Sequence, residues 1–186
     1  MAPVSNVLIR PRSPLTANPT ILFISIIVLA AASIYLVSQP AALVVIRKID
    51  EGTAVAFQRL WSVFGFDIHV ADISISIRIG DEIRNILVGF GCDGVEAYVI
   101  LVSAILPFPC PLLVKAGGLL AGLVFVFMIN QIRLMGLILV LFVLRDPTNF
   151  AFYHTVIGQI FALVMIYLFW SAWASRAVKV GKQKSS

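Results

Sequence analysis

LLVKAGGLLAGLVFVFMINQIRLMGLILVLFVL, residues 112–144, holds only two charges, Lys115 and Arg133, in thirty-three positions. As one helix it would be ~50 Å long, well over the ~30 Å hydrocarbon core of a bilayer. It must therefore tilt strongly, run past the membrane, or break, with Gly136 the natural break point. No soluble domain of this size has room to bury such a segment all round, so the fold is expected to be a membrane-embedded helical bundle.

The composition on either side agrees. The chain has 186 residues, 60% hydrophobic and 12% charged, with a mean hydropathy of +1.02, outside the range of ordinary soluble domains. A net charge of +5 would suggest nucleic acid in a soluble protein. Here Arg10 and Arg12 precede the first apolar run, and Arg176, Lys179, Lys182 and Lys184 follow the last, while all nine acidic residues fall between Asp50 and Asp146. Basic ends of this kind are what the positive-inside rule expects of cytoplasmic tails. The lipid bilayer is therefore the expected partner, and no nucleic acid is. Two cysteines imply no disulfide framework.

Residues 1–20, with prolines at 3, 11, 14 and 19, read as a cytoplasmic tail. Residues 21–38 are an uncharged run close to the ~20 residues a spanning helix needs, expected to be a retained anchor. Residues 39–93 differ in kind. From Ile46 onward Ile49, Phe57, Leu60 and Phe64 recur at helical steps, with Arg47, Lys48, Asp50, Glu51, Gln58 and Arg59 mainly elsewhere, which predicts an amphipathic helix. The period then drops to two. Ile73, Ile75, Ile77 and Ile79 alternate with Ser74, Ser76 and Arg78, which predicts a half-buried strand, with Phe66–Val70 its hairpin partner across Ala71–Asp72. His69 falls in this region as a solvated strand residue.

Residues 94–173 form the expected core bundle. Val95–Leu106 is the second span, Pro107, Pro109 and Pro111 bracket a turn, 112–144 follows, and Phe150–Trp173 is the last span with Trp170 and Trp173 as interfacial anchors. Residues 174–186 are a basic cytoplasmic tail. The expected architecture is all-α, about four transmembrane helices with an amphipathic helix and a small β-hairpin outside. Both termini face the cytoplasm, and Lys115 lies near that side.

This topology brings a thiol, a guanidinium and an imidazole to the outer face: Cys92 at the start of the second span, Arg133 near the outer end of the third, His154 at the start of the fourth. A lone membrane cysteine is ordinarily an inert small hydrophobe, and a lone histidine ordinarily interfacial. Arg133 is harder to explain by packing, since a cation in an apolar helix costs at least about 2.5 kcal/mol unless it meets a partner or water. Asn130 shares its face. Gly91, Cys92, Asp93 and Gly94 open the backbone at a helix start, where free amides favour a thiolate or an oxyanion. Asp93 reads as a cap, and Glu96 as a partner for Arg133 or a substrate contact. Cys110, in Pro-Cys-Pro on the opposite side, reads as structural. No cluster has metal-ligand spacing, so neither metal nor cofactor is expected.

Gly91-Cys92-Asp93-Gly94-Val95-Glu96-Ala97, Asn130-Gln131-Ile132-Arg133 and Phe150-Ala151-Phe152-Tyr153-His154 resemble, in order and spacing, the signature regions of the exosortase/archaeosortase family, most closely the exosortase H branch. The resemblance covers about residues 60–172. It departs in span number, since many members have around eight, and this leaves oligomeric state and accessory helices open. It implies a cysteine peptidase and transpeptidase of the bacterial inner membrane, with Cys92 as nucleophile, His154 as acid and base, and Arg133 stabilising charge on the outer, periplasmic side. The implied substrates are exported proteins ending in a short motif beginning Ile-Pro-Thr-Leu, a transmembrane helix and a basic tail. The alternative is a non-catalytic membrane scaffold or assembly protein in which Arg133 and Glu96 pair and Cys92 is idle.

Overall fold

The computed structural model describes residues 19–89, 92–144, 150 and 152–183. The chain is mostly helical, with one small sheet. Helix α1 (Pro19–Val37) and helix α2 (Pro40–Ser62) meet at an 88° bend. Pro40 opens α2, where its missing N–H costs nothing because first-turn amides have no partner within the helix. Strands β1 (Asp67–Ala71), β2 (Ser74–Ile79) and β3 (Glu82–Leu87) follow. Next come α3 (Val95–Ile105) and α4 (Leu112–Leu144), then a π-helical turn (Tyr153–Ile157) that runs directly into α5 (Gly158–Gln183).

Two helical segments are long and apolar enough to cross a membrane, Leu112–Val143 and Tyr153–Val180, with a third if the bent pair α1–α2 counts as one span. The expected four spans are thus not all present as full-length helices. The second fails on length: α3 has 11 residues, ~17 Å by helical rise. It ends at the proline-rich turn, where Phe108 and Cys110 donate backbone bonds to Ile105 and Phe108, and Lys115 Nζ donates to the Leu106 carbonyl at 2.6 Å. By contrast α4 is a single 33-residue helix that passes Gly136 without a break. Helix α5 runs on to Gln183, so the tail expected from residue 174 is largely helical.

The period-two reading of Ile75 and Ile77 holds: both are fully buried, while Ser74 and Ser76 are half-buried and Arg78 exposed. The strand starts at Ser74 rather than Ile73. The expected hairpin is a three-stranded antiparallel meander, β1-β2-β3, with Ile68 opposite Ile77 and Ile75 opposite Ile86. The turns use positive φ at Asp72 and Gly80, conformations that Asp and Gly tolerate. The third strand, EIRNIL, buries only Ile86, too weak a pattern to stand out.

The amphipathic helix exists, but its buried face differs from the expected one. Ile46, Asp50, Thr53, Ala54 and Phe57 are buried, whereas Ile49 and Phe64 are exposed. At the centre of a hydrocarbon core Arg47, Lys48, Asp50 and Arg59 of α2 would each cost about 2.5 kcal/mol or more.

Two hydrophobic cores result. One joins Ala54 and Phe57 of α2, Ile68, Ile75, Ile77 and Ile86 of the sheet, Cys92, and Leu134, Met135 and Ile138 of α4. The other joins Leu101 and Ile105 of α3, Val126 of α4 and Ile166 of α5. Helix α4 runs through both. Trp170 and Trp173 are half-buried and pack against the second core: their indole N–H groups donate to the Ala104 and Val114 carbonyls at 3.3 Å, and Phe108 packs edge-on to both rings. The small residue Gly118 admits the Trp173 ring, since an added Cβ there would run into it.

Candidate active site

Cys92, Arg133 and His154 meet where the two cores join. Cys92 lies in the tight segment between β3 and α3, its N–H donating to the Gly89 carbonyl at 2.7 Å. Gly94 caps α3 in a left-handed conformation, φ 82°, which an L side chain rarely adopts, and Asn130 lies against it. Asp93 Oδ1 accepts the Val95 N–H at 3.0 Å, so Asp93 fixes the loop from one residue before the cap, whereas the sequence suggests Asp93 as the cap itself. Gly91 lies outside the described residues.

Cys92 Sγ and His154 Nε2 are 2.6 Å apart, although 62 residues separate them in sequence. The π-helical turn carries His154 and stacks its ring on Phe150, centroids 5.9 Å apart. From α4, Asn130 Nδ2 donates to the Cys92 carbonyl at 2.7 Å. One turn further along, Arg133 Nη2 reaches the His154 carbonyl at 3.5 Å. Arg133 is only 8% exposed, and its Nε has no hydrogen-bond partner. Gly158 makes room for it, since an added Cβ would lie 2.8 Å from Nε. One helix face thus grips the backbones of both other site residues. Cys92, Arg133 and His154 converge, with Asn130 and Asp93 beside them. Glu96 does not complete the arrangement as expected, because it forms no ion pair with Arg133 among the described residues. Cys110 is a free, half-buried thiol at the proline turn. His69 is exposed and pairs with Asp67 at 3.1 Å.

The electrostatics correct one expectation. The helix start and Arg133 were expected to favour a thiolate. Burial instead pushes the Cys92 thiol up to about 11, and the Arg133 charge only partly offsets it, with Asp93, Asp50 and Glu96 adding to the rise. The resting pair is a neutral thiol against an imidazole nitrogen. Such a pair transfers its proton as the sulfur attacks, by general-base chemistry.

Asp50 was assigned to the solvated face of α2 and is buried there, 7% exposed. Its carboxyl hydrogen-bonds that of Asp93, and burial together with the Asp93 charge raises its pKa from 3.8 to about 6. Below about pH 6 the two buried carboxyls share a proton. The contact ties α2 to the residue beside Cys92. The steps 46, 50, 53, 54, 57 are helical, and counting Asp50 on that face would have found it.

A cavity of about 490 Å³ opens onto Cys92 and His154, lined by Asn85, Ile86, Leu87 and Gly89 on one side and Leu137, Leu141 and Phe150 on the other. Behind Arg133 a smaller apolar cavity of about 270 Å³ lies between α4 and the π-helical turn, lined by Ile132, Leu137, Tyr153 and Phe161 among others. No family model matches the chain, and it has no match among curated proteins or solved structures.

Proposed function

We propose that this protein is a membrane-embedded cysteine peptidase and transpeptidase of exosortase type. It cleaves the C-terminal sorting signals from exported proteins and transfers the trimmed proteins, held as the Cys92 thioester, to an acceptor. The observation that carries the reading is the 2.6 Å approach of Cys92 Sγ to His154 Nε2, built from separate elements and held by Arg133 and Asn130.

In this mechanism the Cys92 sulfur attacks a peptide carbonyl as its proton passes to His154 Nε2. The tetrahedral oxyanion collapses, the C–N bond breaks, and His154 returns the proton to the leaving amine. A thioester to Cys92 remains. His154 then removes a proton from the acceptor nucleophile, which displaces the sulfur and regenerates the thiol. Arg133, buried and with an unpartnered Nε, supplies positive charge as negative charge develops.

The proposed setting is a bacterial inner membrane with four crossings, both termini cytoplasmic and the site periplasmic. Helix α3 is too short to cross alone, but the hairpin it opens is deeper than α3 itself. Asn130 is level with Cys92 through their 2.7 Å hydrogen bond. It stands eighteen residues beyond Leu112, ~27 Å by helical rise, so α3 and the proline turn together cover almost a hydrocarbon core. Helix α2 and the sheet then lie over the outer surface.

A motif-bearing substrate co-expressed with the protein should be processed by wild type, and Cys92→Ala should abolish processing while leaving insertion intact. A thiol placed at Ser76 should be labelled from the outer side. Processing that survives Cys92→Ala, or labelling from the cytoplasmic side alone, would overturn the reading in favour of a non-catalytic scaffold.

A further inference from the structure

The sheet has two edges, and its register determines what each presents. In an antiparallel ladder, residues alternate between those that bond the neighbouring strand and those whose N–H and C=O point away. The Val88 N–H donates to the Ile73 carbonyl at 2.8 Å. With the pairings Ile75–Ile86, Ile77–Arg84 and Ile79–Glu82, this sets the bonded rungs of β2 with β3. The backbones of Ile83, Asn85 and Leu87 therefore point away from β2. The same alternation sends the backbones of Ile68 and Val70 outward from β1. There the outward Ile68 carbonyl is engaged, accepting from Gln58 Nε2 of α2 at 2.8 Å, which checks the deduced phase.

The outward backbones of Ile83, Asn85 and Leu87 have no such engagement among the described residues. That edge borders the 490 Å³ cavity, which Asn85, Leu87 and Gly89 line together with Cys92 and His154. An unpaired edge is a template for another chain, and proteins ordinarily blunt or cover it. Here it runs toward the nucleophile. The facing wall of Leu137, Leu141 and Phe150 stands ready for apolar side chains from alternate residues of an occupant.

We propose that the substrate polypeptide binds as an added fourth strand on the outer edge of β3. Its main chain pairs with Asn85 and Leu87, and its scissile carbonyl is delivered to Cys92. Recognition in this mode takes affinity from main-chain hydrogen bonds and selectivity from every second side chain. It demands an extended segment, so a sorting motif must be unfolded where it enters the site. The inference rests on the proposed peptidase reading for the identity of its occupant.

The test uses the full chain in detergent and a synthetic peptide carrying the Ile-Pro-Thr-Leu motif, an apolar helix and a lysine-rich end. Each amide around the motif is N-methylated in turn. Processing is read with wild type and affinity with Cys92→Ala. Strand addition predicts a period-two pattern, with losses of tenfold or more at alternate positions and little change between them, the motif proline falling in the tolerated set. On the protein side Asn85→Pro, which removes an outward N–H and spares the β2 ladder, should lower affinity at least tenfold. Val70→Pro, which does the same on the opposite edge, should change it less than twofold. Cys92-dependent processing with no period-two pattern, or equal losses from both prolines, overturns strand addition and leaves the peptidase reading standing. A period-two pattern in affinity without processing does the reverse. A peptide neither bound nor processed removes both.

Discussion

The state of the Cys92 proton can be read from how fast the thiol alkylates as pH changes. With Cys110→Ala leaving a single thiol, iodoacetamide reports on Cys92 alone. A thiol pushed up to about 11 is ionised to about 10⁻⁴ at pH 7, against about 10⁻² for one at the ordinary 9.0, and the thiolate is the reacting species. Burial also slows the reagent's approach, but equally at every pH, so the slope carries the test. The rate should climb about tenfold per unit between pH 7 and 10, with no plateau, as the thiolate fraction does. Arg133→Met removes the one charge that lowers this pKa, and should slow alkylation further at each pH. A rate that is flat between pH 6 and 8 would show a thiolate–imidazolium pair already formed at rest. The neutral-pair mechanism would then be wrong, and the helix start and Arg133 would outweigh burial after all.

Other outcomes follow from single contacts. Gly158→Ala sets a Cβ 2.8 Å from Arg133 Nε and must push the guanidinium off its place; misplacement on the order of 1 Å costs about 10²-fold in rate, so processing should fall sharply with thermal stability little changed. Asp50→Ala strands the buried Asp93 carboxylate and should cost about 1–3 kcal/mol, measured by thermal unfolding in detergent, whereas Asp50→Asn keeps a donor toward Asp93 and should cost less. Because the folded Asp50 holds its proton to about pH 6 against 3.8, the folded state binds more protons between those values. Its contribution to stability should therefore be full below pH 4, fall toward pH 6 and level off beyond, and Asp50→Asn should lack this step. Gly118→Ala drives a methyl into the Trp173 indole and should destabilise by about 1–3 kcal/mol without altering Cys92 alkylation in the protein that remains folded.

The residues that were legible in the sequence were those whose cost or period is local. Arg133 announced itself because a cation in an apolar helix needs a reason, and Ile75 and Ile77 because alternation fixes a buried face. The short polar strand β3 was invisible, since Glu82, Arg84 and Asn85 interrupt any apolar period. Asp50 was misassigned because an acidic residue beside Arg47, Lys48 and Glu51 looks solvated. Only the fold, by laying Asp93 against it, gives it a partner. The packing of Trp173 on Gly118 was not legible either, because a span-end position says nothing of which helix a side chain meets. The Cys92–His154 contact was expected from topology, but the balance of burial against Arg133 was not, because desolvation is a property of packing.

The uninterrupted length of α4 has a consequence for how the site meets its surroundings. The same rod that stands among α3 and α5 carries Asn130 and Arg133 and continues into the core under the sheet. The height of the Cys92 thiol above Leu112 is therefore set by a residue count, ~27 Å, and not by any adjustable joint. On the proposed reading, α4 is a ruler. In a thicker bilayer the thiol would sink toward the headgroups, and in a thinner one it would rise clear of them. A substrate anchored in that same bilayer would then be cut at a fixed distance from its own membrane segment. Lipids of different chain length should shift which bond is reached before they alter how fast it breaks.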